Sequence, residues 1–548
     1  MRVNRVAVLG ASIVSLSLVF LPLIELKPNR LASGIPFTLF QFDGGLGAVA
    51  LFALALLPFL VAMRPPGVVR GALLAVVGNA LLVMTLDIPA VVGTALLGDA
   101  AALLGDGVRL SNPRILPSAA LALGLFGAYT VLYGGLRDLS LAGTSRAARG
   151  LAAWGGVAVV VLAALFGRYD VYSLVVEFHA RGQQLAQRAV EHVMFVAVAL
   201  VIGLVLGVGL GLWAHRDRRA SPVILYLVGI IQTVPSLALF GVLLVPLARF
   251  GDQRATDVAL ALLASLVLAG TALALYRTIG QRLRGASRQA LLVLVSVVAA
   301  VPVTLVTVIV ASFAFRVGLL AFTSPNATLA NLRPLMLGVL VVALVLHLLA
   351  RRQRPDGVRS AFARGAWVGW GALAVTMIAT LVTASQLFLA RVDSLASLSV
   401  RDLGVSGIGP APAVIALTLY SLLPLVRNTY AGLTNVDPAV IDSGRGMGMN
   451  AAQRFMQIEL PLALPVIMAG VRNASVALVG IAAIATVIGA GGLGDFILGG
   501  IINTSIDQIL LGAIPAVLLA VVLDAALRAT EHLLVSPGIR ASGEAAPS

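Results

Sequence analysis

Residues 442–461 read DSGRGMGMNAAQRFMQIELP, a polar, glycine-bearing stretch between two long apolar runs. In a chain dominated by apolar segments, a hydrophilic piece at a helix–helix junction points to a docking surface rather than a lipid contact. Its neighbours dictate its local shape. Asp437 precedes Pro438, an N-cap followed by proline at the first helical position, where the missing N–H costs nothing. The helix so begun is expected to run to about Met447, with Gly446 and Gly448 supplying the tight or left-handed backbone of a reversal. Asn450 is placed to cap a second helix, with Gln453 at its N3 position in a capping box. Pro461 and Pro465 are expected to interrupt that second helix and redirect the chain. The expectation is two short helices at an angle, a compact knob; the plainer alternative is an ordinary solvated loop.

Composition sets the surroundings of this knob. Of 548 residues, 59% are hydrophobic and 11% charged, where soluble domains run to roughly a quarter charged. Many apolar runs approach the roughly 18–20 residues that span hydrocarbon as helix, which gives an all-α, polytopic integral membrane protein. Ten-residue alternating segments, the mark of an outer-membrane barrel, are not the pattern here. Cysteine is absent, which excludes disulfides and thiolate metal sites. The net charge of +15 does not indicate nucleic acid, because the basic residues sit in short clusters at the ends of apolar runs.

About fourteen spans are expected, near 6–24, 45–63, 68–86, 115–135, 151–166, 192–213, 222–247, 256–276, 290–313, 334–350, 365–390, 411–431, 462–488 and 507–528. With both termini cytoplasmic, 24 basic residues fall on the cytoplasmic side and 13 opposite, with Arg472 inside a span. That asymmetry is the positive-inside pattern. Trp154, Trp213, Trp367 and Trp370 lie near the expected cytoplasmic interfaces. The first apolar run is longer than a signal-peptide core and is kept as a span. Residues 167–191 read as an amphipathic surface helix leading into the sixth span. The tail, 538–548, is expected to be disordered.

The spacing Asp442-Ser443-Gly444, three residues, Gly448, nine residues, Ile458-x-Leu460-Pro461 resembles the EAA signature of permease subunits in binding-protein-dependent ABC importers. Asp for Glu and Ser-Gly for Ala-Ala are mild departures. Longer blocks narrow the resemblance to osmoprotectant permeases of the glycine betaine, choline and carnitine type. They are HARGQQLAQRAVEHV and IQTVPSLALFG within 180–247, GIGPAPAVIALTLYSLLPLVRNTYAGL at 407–433, then ELPLALPVIMAGVR and IGAGGLGDFI. The resemblance implies a MetI-like type I importer core in two parts, 180–248 and 405–537, with a coupling loop at 437–461. A five-span region, 1–170, precedes the core, and a four-span insertion, 250–404, divides it. An even number of crossings returns the chain to the same face. The resemblance also implies partners: a separate ABC ATPase on the 437–458 loop, an extracytoplasmic solute-binding protein, and a second permease or a second copy of this chain, all at the inner membrane.

ATP hydrolysis is not expected on this chain. Lys27 is the only lysine, so no G-x-x-x-x-G-K-[ST] loop exists, and no cofactor is expected. Gln232, Thr233, Pro235 and Ser236 fall mid-span and are candidates for a translocation path, where polar groups must face protein or water; hydrogen bonding around a proline kink fits equally. Arg472 and Asn473 carry the same two readings, Arg472 either lining the path, pairing with an acid or snorkelling. Gly491, Gly492, Gly494 and Asp495 end a span on the outer side and are candidates for an outer gate. Gly203, Gly207, Gly209 and Gly211 form a stripe suited to helix packing. The five histidines lack metal-ligand spacing. Two competing functions remain open at this point: a fourteen-span proton-coupled transporter of the major facilitator type, and an importer permease for another small solute. Against the first, no acid sits convincingly mid-span.

Overall fold

A computed structural model describes residues 3–29, 34–41, 45–100, 103, 113–279, 286–352, 358–390 and 398–535; the expected disordered tail lies outside them. The elements, in order, are α1 (Arg5–Phe20), β1 (Ile24–Lys27), β2 (Ile35–Phe37), α2 (Gly45–Ala62), α3 (Val68–Gly98), β3 (Arg114–Pro117), α4 (Ala119–Leu141), α5 (Arg146–Leu165) and α6 (Ser173–Arg216). Then come α7 (Ala220–Thr233), α8 (Ser236–Gly251), α9 (Ala255–Thr278), α10 (Ala286–Thr323), α11 (Ala327–Arg352), α12 (Val358–Leu389), α13 (Pro410–Thr434), α14 (Pro438–Gly446), α15 (Ala451–Arg454), α16 (Leu460–Ile484), α17 (Gly494–Ile502) and α18 (Ile506–Leu534). Among the described residues ten helices are long and apolar enough to cross a membrane, or eleven with the bent pair α7–α8 counted as one. Three shorter apolar helices, Arg5–Phe20, Gly47–Ala62 and Ala327–Ala343, underlie the remaining expected spans.

The chain divides into two compact units, residues 1–182 with 499–511, and residues 183–498 with 512–548. In the first, α1 packs on α4 through a glycine pair. A Cβ on Gly10 would sit 2.7 Å from the Gly127 carbonyl oxygen, so any side chain there would force the helices apart. Ala7, Ala11, Val14 and Leu18 bury the same face of α1. One buried polar cluster joins three helices of this unit. Arg70 grips both oxygens of Asp138, at 2.6 and 2.9 Å, and Asn4 donates to Asp138 at 2.9 Å, which ties α1, α3 and α4 together. A small antiparallel sheet, order β2-β1-β3, adds to the expected all-helical reading. Ile24 and Leu26 point inward from its central strand while Glu25 and Lys27 alternate outward.

In the second unit α6 packs on α13 through the small-residue stripe. A Cβ on Gly207 would lie 2.6 Å from Leu425 Cβ, and one on Gly211 2.6 Å from Thr429 Cβ, whereas Gly209 faces open space. Three of the four stripe glycines, counting Gly203 against Ser421, are thus packing residues. Phe195 and Phe315 stack with ring centroids 4.4 Å apart in the buried core, which brings the end of α10 into that core.

The two ends of 255–398 are fastened together. The Ala255 N–H donates to the Leu398 carbonyl (2.8 Å), Val400 N–H to Gln253 (3.0 Å) and Arg401 N–H to Gly251 (2.9 Å). Asp402 accepts from the Ser399 hydroxyl and amide at 2.7 and 2.8 Å. These two donors hold its carboxyl below the usual carboxylate range.

Two local expectations change. The surface helix expected at 167–191 and the sixth span are one continuous 44-residue helix, α6. The sequence 173–216 contains no proline and no helix-stopping glycine cap, so nothing ends the first part before the second begins. The seventh span is broken instead: α7 and α8 meet at 98° around Val234 and Pro235. Residues before proline avoid the helical region, and Val234 is extended at ψ 125°.

Candidate functional site

The 437–461 stretch folds as its capping residues dictate. Asp437 accepts the Ala439 N–H at 2.8 Å, Pro438 opens α14, and Met447 is its C-cap. Gly448 turns the chain at φ +78°, whereas Gly446 stays helical. Asn450 and Gln453 form the reciprocal capping box, at 2.9 and 3.0 Å. The expected proline interruption does not occur. α15 continues through a π-turn, Phe455–Glu459, into α16, with Pro461 in its first turn and Pro465 inside it. The wider turn just before Pro461 accommodates the missing N–H, so the second knob helix is the beginning of a span.

Gly444 is the buried centre of the knob. A Cβ there would meet Ile458 Cδ1 at 2.6 Å, so α14 lies directly against the π-turn. Ile458 and Leu460 thus fasten the knob from within, and Arg454 pairs with Glu459 at 3.2 Å. The Arg216 guanidinium lies 5.4 Å from the Phe455 ring centroid, which anchors the end of α6 to the same place. Outward stand Val440, Asp442, Ser443, Arg445, Met447 and Met456, with Met447 69% exposed. Exposed methionines beside small and charged residues make an adaptable contact surface.

At the far end of α6 and α16, the glycine candidates form a second site. Gly489, Gly491 and Gly492 all have positive φ, and α17 starts at Gly494. This loop lies against three α6 residues that sequence reasoning passed over: Arg188, Glu191 and His192. Arg188 bridges Glu191 (2.7 Å) and Asp495 (2.9 Å), and Glu191 accepts the Gly492 N–H at 3.0 Å. The Thr486 hydroxyl donates to the other Asp495 oxygen. His192 Nε2 lies 3.1 Å from the Val479 carbonyl, which makes Nε2 the protonated nitrogen. Gly491 sits at φ +94°, where a side chain is strained, and a Cβ there would also push the Glu191 carboxylate, 2.6 Å away, off its place. The i, i+3, i+4 spacing of the three α6 residues was a readable signal of one polar face.

The path candidates do not converge. Gln232 and Thr233 are exposed at the α7–α8 break, where the Tyr420 hydroxyl donates to the Val234 carbonyl. Pro235 and Ser236 begin α8. Arg472 pairs with Asp524 (2.9 Å) and Glu531 (3.5 Å) on α18, the acid-paired arrangement among its three readings, while Asn473 is exposed beside it. Among the described residues no hydrogen bond or ion pair links Arg472 or Asn473 to residues 232–236.

Comparison with known proteins matches two separate stretches of the chain. Residues 268–535 match the family described as binding-protein-dependent transport system inner membrane component, and residues 4–175 match the N-terminal domain of the ABC transporter permease YehY. The chain is 44% identical over 134 residues to a choline transport system permease protein, OpuBB, of Bacillus subtilis, covering 24% of this chain and 62% of that protein. It is 49% identical over 134 residues to the osmoprotectant import permease protein OsmW of Salmonella typhimurium, with the same coverage. A carnitine transport permease protein, OpuCD, of Listeria monocytogenes is 49% identical over 144 residues, 26% of this chain and 64% of that protein. The chain thus spans a little under two thirds of these relatives. Residues 268–535 thus carry a domain similar to the inner membrane component of binding-protein-dependent transport systems and residues 4–175 one similar to the YehY N-terminal domain, in a chain whose described residues include ten or eleven helices able to cross a membrane.

Proposed function

We propose that this chain is the permease subunit of an ATP-driven importer for compatible solutes such as glycine betaine, choline or carnitine. The observation that carries the coupling is the knob: a capped, internally fastened pair of turns whose small, acidic and methionine side chains face outward. A separate ATPase engages that surface, and closure of the ATPases moves the knob. A solute-binding protein delivers substrate at the opposite end, where the 489–495 loop acts as the outer gate. The 437–458 loop and both termini are cytoplasmic, and the working assembly holds two permease units. The substrate class follows the named relatives.

Residues 180–248 and 405–537 make the transport core, 1–170 an N-terminal membrane region, and 250–404 an inserted membrane region. The fastening of residue 255 to 398 supports the last assignment, since the segment leaves and re-enters at one point. The family match begins at 268, inside that segment, so excision is the decisive experiment. Joining Arg254 to Ser399 directly leaves ATP-dependent uptake intact if 255–398 is an insertion and abolishes it if those helices belong to the core.

The main reading is tested by expressing the chain with its ATPase and binding protein in cells lacking osmoprotectant importers. ATP-dependent accumulation of labelled glycine betaine, lost on deletion of 442–450 together with ATPase binding, is expected. ATPase binding that survives the deletion refutes the coupling assignment.

A further inference from the structure

The knob and the glycine loop are the two ends of one helical run. Residues 451–488 proceed from α15 through the π-turn and α16 to a final 3₁₀ turn, Ala485–Ile488. At about 1.5 Å per residue, these 38 residues make a rod roughly 57 Å long, longer than the hydrocarbon layer. Its far end holds the loop in two ways. The Thr486 hydroxyl binds Asp495, and the Val479 carbonyl holds His192, beside Arg188 and Glu191 on α6. Arg188 then closes the circuit by binding Asp495 and Glu191 together. Every charged link is partly exposed, with Arg188 at 31% and Asp495 at 28%, so these are contacts weak enough to exchange during a cycle. The positive-φ glycines between them let the loop swing once released.

We propose that Arg188 is the positioning residue of a charge-paired latch on the 489–495 loop, and that the 451–488 rod carries movement of the knob to that latch. The proposal rests on the transport reading above. A helix resists compression and twist, so displacement at Ala451 reaches Thr486 and pulls Asp495 relative to Arg188 on α6. Because Asp495 and the Gly492 amide belong to the same loop, drawing Asp495 off Arg188 also draws Gly492 off Glu191, while Arg188 and Glu191 stay paired on α6.

The cysteine-free sequence suits the test. Ala490, a loop residue only 7% exposed, is replaced by cysteine in the full-length chain, assembled with its ATPase and binding protein in whole cells. A membrane-impermeant maleimide reports access from outside. The Arg188→Ala and Asp495→Asn backgrounds are each expected to label about tenfold faster or more, as a closed population gives way to an open one. The exchange Arg188→Asp with Asp495→Arg restores slow labelling. A second variant fixes the loop covalently. A Cβ on Gly492 would lie 3.5 Å from that of His192, within the range a disulfide bridges. Oxidised His192→Cys/Gly492→Cys is expected to stop glycine betaine uptake, and dithiothreitol to restore it. The latch is overturned if Arg188→Ala leaves labelling unchanged, if the exchanged pair labels as fast as either single variant, or if the disulfide forms without affecting uptake. Absence of uptake by the unaltered protein refutes the transport reading instead, and the labelling still decides the latch.

Discussion

Replacing Gly448 tests the knob on backbone conformation alone. The residue sits at φ +78° with no atom within 4 Å of the position its Cβ would take, so a side chain meets no neighbour and the whole cost is strain. Holding an L-residue left-handed costs about 1–2 kcal/mol. A stiffer unfolded chain returns about 0.4–1 kcal/mol of that for alanine. The net penalty of about 1 kcal/mol lowers the population of the native turn, and with it ATPase affinity, by up to about fivefold. Valine, β-branched and poorly tolerated at positive φ, is expected to lose more. Asparagine, which adopts this region readily, is expected to bind nearly as glycine does. The assay titrates the ATPase onto the chain in nanodiscs and measures ATP-dependent uptake alongside. A Gly448→Val variant that binds as tightly as the native chain, or a Gly448→Asn variant that fails as badly as Gly448→Ala, refutes the claim that the left-handed turn shapes the docking surface.

Other consequences are as direct. Gly207→Val is expected to lower the midpoint of thermal unfolding, at a cost of about 1–3 kcal/mol from overpacking against Leu425, while Gly209→Ala, facing open space, is neutral or stabilising. Arg472→Ala removes the cation shared by Asp524 and Glu531, leaving Asp524 with Arg528, and is expected to lower the unfolding midpoint only modestly because the pair is partly exposed; pairing it with Asp524→Asn recovers part of the loss, read by unfolding in detergent. The depressed carboxyl of Asp402 stabilises the 398–405 turn above the ordinary carboxylate range, and that contribution disappears as pH falls through its own lower value. Protease cutting in that turn is therefore expected to increase on acidification in the native chain, and to be pH-independent and already fast in Asp402→Asn.

What the sequence made legible was local. Asp437-Pro438, Gly448 and Asn450 with Gln453 act within four residues of themselves, and each turn they specify is present. Ten of the expected spans lie on single helices long and apolar enough to cross a membrane, because hydropathy over about twenty residues decides it; the seventh is broken over two helices and three lie on shorter ones. What escaped was decided at long range. The central strand of the small sheet is four residues long, and β3 lies some ninety residues beyond it. Arg188 and Glu191 looked like an ordinary polar turn of helix, because their partners stand three hundred residues further on. Asp524 and Glu531, seven apart, share a face of α18, which would have identified the partners of Arg472 had periodicity been applied to acids as well as to apolar residues. Pro461 misled because proline forbids a regular α-turn, not a wider one.

That wider turn fixes rotational register. A π-turn accommodates one residue more than an α-turn, and one residue is about 100° of azimuth in a helix. Everything from Leu460 onward is therefore phased about 100° away from where a plain continuation of Ala451–Arg454 would put it. At that phase Arg472 meets the acids of α18 and Val479 meets His192. The helical phase between the knob and the glycine loop is set within the five residues Phe455–Glu459.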